Sequence, residues 1–391
     1  MPYITRKIKL YRKGKNLPSY ADLIDGKFDL SKTTPTTYRF LPTTYTRWSE
    51  YKIDGPQSEV YNRKKFAERI DRLFYSVYGK YVDTDDCMIG IQDYNNYLIP
   101  KKSGGQRVIS EPNSDLKRKQ YEIINLFNYI ARHHETKLYH AAAYAYIEDR
   151  SIVNCLNKHK ANESNWFLKL DIKDCFGSTN YNMVVEQLSK IYPFNDILNP
   201  YQSYYYSFTR NHFKQVLKVC FLSDSLPQGA PTSPMLLNLM MIPFDYELAK
   251  QLNSKGFVYT RYADDIIISH KYKFDFREIT NIVEETFRKN NYTYIINKDK
   301  IRYGSRAGRN WNLGLMLNKD NQITIGWRKK KEFKALLTKV CFEKILSCSE
   351  INKINGLISY YKMIDKPYTE YIIDHIGSKF KVDLHEKLRV V

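Results

Sequence analysis

The sequence lacks any apolar run of the roughly 18 residues that a membrane-spanning helix needs, which argues against an integral membrane protein. Its first segment, Met1 to Lys15, is basic and has no apolar core of the kind a signal peptide carries. A cytosolic protein is therefore expected. Cysteine is scarce, with 6 residues, and Cys87, Cys155, Cys175, Cys220, Cys341 and Cys348 form no C-x-x-C pair. A disulfide framework or a zinc site is not expected, and most of these thiols should be small buried side chains. Internal repeats and long low-complexity stretches are also missing. Acidic residues are outnumbered: 42 Asp and Glu face 62 Lys and Arg, a net charge of +20. An excess of that size points to a polyanionic partner. The 34 tyrosines and 19 phenylalanines add flat faces on which bases can stack, although they also fill cores.

What is present alternates between strand-like and helix-like patterns, giving an α+β or α/β class. Residues 1–60 read as a basic extension, broken by Pro18, Pro35, Pro42 and Pro56. Helical spacing of Phe66, Ile70, Leu73, Phe74 and Val77 predicts a helix over Asn62–Tyr78. Asn96 to Pro112 reads as strand, turn, strand about Ser103-Gly104-Gly105. A long amphipathic helix is expected from Ser114 to Arg132, and a short strand over Trp166–Asp171. Thr232-Ser233-Pro234 should open a helix with a hydroxyl cap and an early proline. Phe257 to His270 predicts a hairpin with Asp264-Asp265 at its tip, and the chain after Lys329 is mostly helical.

Asp264 and Asp265 are flanked by β-branched and aromatic residues on both sides. Adjacent acids at a tight turn between buried strands repel each other, and a divalent cation removes that conflict. Taken alone, the pair reads as an ordinary solvated turn. Asp171 ends another apolar strand far upstream, and acids from neighbouring strands can hold two Mg²⁺ ions about 3.5–4 Å apart for phosphoryl transfer. Leu226 to Pro234 combines prolines and a glycine ahead of a helix, a rigid turn where backbone can approach a flat ligand and Gln228 can offer its amide.

These segments together resemble the reverse transcriptases. Tyr262-Ala263-Asp264-Asp265 looks like their Y-x-D-D motif. Leu168 to Phe176 is similar to their first catalytic-acid motif, and Leu226 to Pro234 with Asn238 to the L-P-Q-G-x-P-T-S-P…N segment of retron and group II intron enzymes. The resemblance spans roughly residues 95 to 370. It implies a right-hand polymerase of α+β class. Its parts would be fingers over 61–160, palm over 161–195 and 226–325 around an insertion at 196–225, and a helical thumb over 326–391.

The resemblance also implies roles. Asp171, Asp264 and Asp265 would be catalytic, with the Ile172 carbonyl as a further ligand for two Mg²⁺ ions, or Mn²⁺. Arg107 and either Lys101 or Lys102 would hold the incoming triphosphate, with Lys300 near it. Phe176 would be a steric gate against the 2′-hydroxyl, and Gln228 would shape the nucleotide pocket. Tyr262, Gly314 and the run Arg328, Lys329, Lys330 and Lys331 would contact nucleic acid. Two segments depart from the retron pattern: Cys155 to His159 keeps only the histidine of N-A-x-x-H, and Asn312-Leu313-Gly314 replaces V-T-G. In retrons both features are linked to recognition of the retron RNA.

No maturase, endonuclease or RNase H domain is expected after the thumb. The expected function is an RNA-directed DNA polymerase that adds dNTPs to a 3′-hydroxyl on a dedicated non-coding RNA template in antiphage defence. DNA or an RNA–DNA hybrid would be its product, and a homo-oligomer or a partner defence protein is compatible with the sequence. Three alternatives stand beside it: a retron enzyme making multicopy single-stranded DNA, untemplated or protein-primed synthesis, and a non-catalytic RNA-binding scaffold.

Overall fold

The computed structural model describes residues 63–78, 93–101, 104–133, 138–191, 194–198, 207–307, 314–343 and 345–389. The expectations for residues 1–60, Lys102 and Asn312-Leu313 lie outside them. The chain begins with α1 (Arg63–Tyr78), β1 (Tyr94–Pro100), β2 (Gln106–Pro112), α2 (Ser114–His133), α3 (Ile152–Ala161) and β3 (Trp166–Asp171). It continues through α4 (Tyr181–Leu188), α5 (Ser207–Lys218), α6 (Thr232–Met240), α7 (Ile242–Asn253), β4 (Val258–Tyr262) and β5 (Asp265–His270). Last come α8 (Phe276–Lys289), β6 (Arg302–Ser305), α9 (Trp327–Phe342), α10 (Cys348–Ile364) and α11 (Lys366–Phe380). The fold is α+β.

Two compact units result. Among the described residues, the first takes those up to Tyr146, Ile172–Lys250 and Ile282–Ile296. It holds the β1–β2 hairpin, whose strands pair from Tyr94↔Pro112 to Pro100↔Gln106. Gly104 and Gly105 turn the hairpin with φ of +89° and +78°, a conformation that costs glycine little because it has no Cβ. Helix α2 supports the hairpin from below. Its buried Gln120 amide donates to the Val219 carbonyl at 3.1 Å and to the Tyr94 hydroxyl at 3.2 Å. The core of this unit is aromatic, with Phe127, Phe194 and Phe213 fully buried against one another.

The start of α6 differs from expectation. Its N-cap is Pro231, and no side chain caps it. The Ser233 hydroxyl instead donates to the Pro227 carbonyl at 2.7 Å, closing the preceding turn rather than the helix end. Proline lacks an N–H, so the turn needs its stabilising bond from a nearby hydroxyl.

The second unit takes Ile147–Asp171, Gln251–Asn281 and Asn297–Val391. Its sheet is antiparallel throughout, in the order β4-β5-β3-β6. The C-terminal helices share one core with the sheet and α3, in which Phe333, Leu337 and Val340 of α9, Ile354 and Tyr361 of α10 and Ile373 of α11 join Phe167, Ile267 and Leu156. Each such side chain stabilises the unit by roughly 1.5–3 kcal/mol relative to exposure. Of the described cysteines, Cys155, Cys175 and Cys220 are buried, Cys341 is intermediate and Cys348 is exposed; all are free thiols. Among the described residues, no helix is long and apolar enough to cross a membrane.

Candidate active site

The ladder of the sheet decides where the acids meet. β3 and β5 pair in a register that sets Asp171 opposite Asp265, and β4 closes on β5 with Tyr262 opposite Asp265. Directly paired residues project from the same face, so two carboxylates stand side by side at the end of the sheet. Like charges in that position cost up to about 1 kcal/mol even at a surface. The hairpin needs only Ala263 and Asp264 to turn, and Ala263 takes φ +57°, a left-handed conformation unfavourable for a residue with a Cβ. The fully buried Arg261 holds this turn, donating from Nη1 to the Ala263 carbonyl at 3.2 Å.

Two ammonium groups reach the acids. Lys300 Nζ lies 3.0 Å from both oxygens of Asp171. It is carried there by a 3-10 turn, Lys298–Lys300, which the Asn297 N–H ties to the Asp171 carbonyl at 2.8 Å. Lys169 Nζ lies 2.6 Å from Asp265 Oδ2. No such cation is bonded to Asp264 among the described residues. Burial, and then the neighbouring Asp265, push its carboxyl above the ordinary range, with a further push from Asp171. Lys169 and Arg261 were not anticipated from sequence. The first had a signal, since alternation along a strand puts residues 169 and 171 on one face; the second had none.

The chemistry of this donor set fits a divalent cation: three hard carboxylates, one of them partly buried and without a partner ammonium. Among the described residues, no three acidic, imidazole or thiol groups already converge as a finished metal cage. Lys169 pairs with Asp265 and Lys300 with Asp171.

The first unit brings other candidates together through backbone bonds. Ser110 N–H of β2 donates to the Gln228 carbonyl at 2.7 Å, and Leu226 N–H to the Thr179 carbonyl at 3.2 Å. The 226–234 segment thus joins the hairpin carrying Arg107 to the turn that follows Phe176. Gly229 makes the approach feasible: at φ +124°, an added Cβ would lie 2.8 Å from the Ser110 carbonyl oxygen. Arg107 and Lys101 are exposed, Gln228 and Phe176 are partly buried, and Ile172 is buried and bridged to Ile296. Phe176 is therefore not a closed core phenylalanine.

In the second unit, Gly314 has φ +91°, and a Cβ there would run into the Lys329 ammonium. Tyr262 packs partly buried against the helical core. The basic run opens α9, where positive charge opposes the helix dipole and is not a stabilising choice. Arg328 pairs with Glu332 at 2.9 Å while remaining 89% exposed. Lys330 is taken by Asp365 at 2.9 Å and sits over the Tyr368 ring. Lys331 lies over Trp327, in a groove that Lys334 and Phe342 also line.

Cys155 and His159 lie on α3 and are completely buried, out of reach of any RNA. His159 Nδ1 is 2.6 Å from the Ser269 hydroxyl and Nε2 is 2.8 Å from the Thr260 hydroxyl. The Cys155 thiol meets the same Thr260 at 3.2 Å, and Ser269 donates to Ser164 at 2.8 Å. These residues pin α3 to β4 and β5. Burial pulls the His159 imidazole down to about 3, so it is neutral.

The profile of the reverse transcriptase (RNA-dependent DNA polymerase) family matches residues 99–337. The Retron Ec73 reverse transcriptase of Escherichia coli is 32% identical over 277 residues, which cover 68% of this chain and 82% of the relative. The Retron Ec83 reverse transcriptase of the same species is 27% identical over 73% of this chain and 87% of its own length. Among solved structures, apo telomerase from Candida tropicalis aligns at a TM-score of 0.45 and 13% identity, over 83% of this chain and 66% of that one. The chain belongs to the reverse transcriptase family, in its retron-like branch. It is an RNA-directed DNA polymerase, an enzyme class that takes an RNA template, makes DNA and works with divalent metal ions.

Proposed function

We propose that this enzyme copies a dedicated non-coding RNA into DNA at the carboxylate end of β3 and β5, in bacterial defence against phage. The observation that carries the site assignment is the pairing of Asp171 with Asp265 beside a turn whose Asp264 carboxyl has burial and two like charges against it. Asp171 and Asp264 would hold Mg²⁺, with Asp265 assisting and the Ile172 carbonyl adding a ligand. Bound there, the ions would neutralise the triphosphate and polarise the attacking 3′-hydroxyl.

The chain's own residues supply position. Arg107 and Lys101, exposed on the hairpin, suit the oxygens of an incoming triphosphate. Phe176 lies under the sugar in this reading and excludes a 2′-hydroxyl, while Gln228 borders the base pair. Lys300, already at the carboxylates, is placed to give a proton to the departing pyrophosphate. Tyr262, Gly314, Arg328, Lys329 and Lys331 would follow the nucleic-acid backbone, with Lys330 shaping the surface beneath them. In this proposal residues 61–160 are the fingers, 161–195 and 226–325 the palm around an insertion at 196–225, and 326–391 the thumb, and the enzyme acts in the cytoplasm.

A second reading, a retron enzyme making multicopy single-stranded DNA, is favoured by the 32% identity to a retron reverse transcriptase. Sequencing the nucleic acid that copurifies with wild type and with Asp264→Ala/Asp265→Ala separates the two. Branched DNA joined to its template RNA supports the retron reading, and unbranched complementary DNA the first. Equal DNA from both proteins would refute the carboxylate assignment. Phage plaquing on cells carrying either form tests the defence role, which predicts protection by wild type alone.

A further inference from the structure

Tyr294 is a buried phenol that the chemistry above does not use. It lies in the segment between α8 and β6, stacked on Tyr292 at 5.8 Å and met edge-on by Phe287 at 5.6 Å. Tyr292 is itself anchored, donating from its hydroxyl to the Met240 carbonyl at 2.5 Å. Burial pushes the Tyr294 hydroxyl well above the ordinary phenol range, so it keeps its proton. That hydroxyl lies 2.5 Å from the fully buried Thr179 hydroxyl.

The direction of this bond follows from counting protons. The Thr179 hydroxyl has one, and it goes to the Cys175 carbonyl at 2.7 Å. Thr179 therefore accepts from Tyr294, and the tyrosine donates. The Met240 sulfur, 3.6 Å from the same phenol, is a weaker acceptor. The Thr179 N–H donates to the Phe176 carbonyl at 3.2 Å. The peptide groups on either side of Phe176 are thus both tied to one threonine, and that threonine to Tyr294. The start of the turn is tied to the same segment: Lys173 N–H donates to the Ile295 carbonyl at 2.9 Å, and Ile172 is bridged to Ile296. What is left to Phe176 is rotation about its own side-chain bonds.

We propose that Tyr294, acting through Thr179, is a positioning residue for the sugar pocket: its hydroxyl fixes the turn that carries Phe176 and so sets how strictly the enzyme excludes ribonucleotides. The inference rests on the reading of Phe176 as the gate. A ring rejects one added oxygen by contact, so its height has to be held to within about 0.5 Å. The turn alone is too short to hold it, and the phenol supplies a fixed point from the aromatic core. Thr179 also accepts from Leu226 N–H at 3.2 Å, so the same residue joins the gate to the segment carrying Gln228.

The test is single-nucleotide incorporation by the full-length protein on a primed RNA template, with kcat/KM measured for a dNTP and for the matching rNTP. Tyr294→Phe removes one oxygen and is expected to lower the dNTP/rNTP ratio about fivefold, the scale of one hydrogen bond. Thr179→Val removes both side-chain bonds and is expected to lower it about tenfold. Thr179→Ser keeps the hydroxyl and is expected to restore most of the discrimination. The loss shows as faster rNTP incorporation, which a merely structural role would not produce, since a loosened fold slows both nucleotides alike. In the Phe176→Ala background, Tyr294→Phe is expected to leave the ratio unmoved, because the residue it acts through is gone. Circular dichroism melting accompanies each variant, and Tyr294→Phe carries the test if Thr179→Val unfolds. A wild-type ratio in Tyr294→Phe overturns the proposal, and so does a further fall in the Phe176→Ala background. Phe176→Ala alone reports on the underlying reading: a ratio it leaves intact means that the gate itself is misassigned, whatever Tyr294 does.

Discussion

Strands β4 and β5 carry two polar clusters that differ in kind. At the hairpin end, Asp264 and Asp265 are partly buried, like-charged and held by a strained turn. Further along the same strands, Thr260 and Ser269 meet His159 in a cluster that is fully buried, neutral and hydrogen-bonded on both ring nitrogens. Burial treats the two in the same way, disfavouring the charged form in each, and the outcomes diverge. The imidazole answers by staying neutral, at about 3, and becomes part of the framework. Of the two carboxylates, Asp265 meets the Lys169 ammonium, whereas Asp264 meets none among the described residues and is pushed above the ordinary range. A polar group whose needs are met inside the protein marks structure; one whose needs are met only by an added cation marks chemistry.

Four substitutions or conditions test that contrast, beginning with the largest effect. Asp264→Asn is expected to lower the polymerisation rate by about 10³-fold, the scale of losing a group that stabilises transition-state charge. Its melting temperature should stay level or rise, since a like charge has been removed. A primer-extension rate within tenfold of wild type would break the contrast from the chemical side. His159→Ala is expected to do the opposite. It should cost about 3 kcal/mol of unfolding free energy, through a cavity and stranded hydroxyls, measured by urea titration. The folded fraction should keep near-normal kcat.

Phe176→Ala comes next. Discrimination between dNTP and rNTP is expected to fall roughly 10–100-fold, the range associated with about 1–3 kcal/mol of pocket selectivity. Single-nucleotide incorporation kinetics would show it, and an unchanged ratio would remove Phe176 from the sugar pocket.

The smallest effect is a pH slope. His159 binds a proton below about 6.5 when unfolded but only near 3 when folded. Its folded pKa is depressed, so between those values the unfolded state holds more protons, and stability falls as pH falls. The slope approaches about 1.4 kcal/mol per pH unit well below 6.5. Comparing wild type with His159→Gln from pH 7 to 5 isolates it. A variant that lost stability in acid as steeply as wild type would mean that His159 is already charged in the fold.

Much of this was legible in the residues. The β1–β2 hairpin, the strand ending at Asp171, the Asp-Asp turn and the C-terminal helices all follow from local patterns, because alternation and turn chemistry act within a few residues. The cap of α6 was misjudged for a matching reason: Ser233 has two nearby uses, a helix end and the Pro227 carbonyl, and only packing selects between them. The histidine of the Cys155–His159 stretch, the one residue of the retron pattern kept there, faces the sheet. Nothing in its own neighbourhood states which side of α3 is buried against strands more than 100 residues away, His159 and Thr260 being separated by 101 positions and His159 and Ser269 by 110.

The sequence by itself therefore determined the family and the order of the motifs, and it singled out the candidate acids, because those are properties of residue type and spacing. Tertiary structure decided how the acids differ. Register between β3 and β5 set Asp171 against Asp265, the 297–300 turn delivered Lys300, and strand alternation aimed Lys169. Electrostatic energy depends on distance and burial, and both are fixed only when distant segments pack.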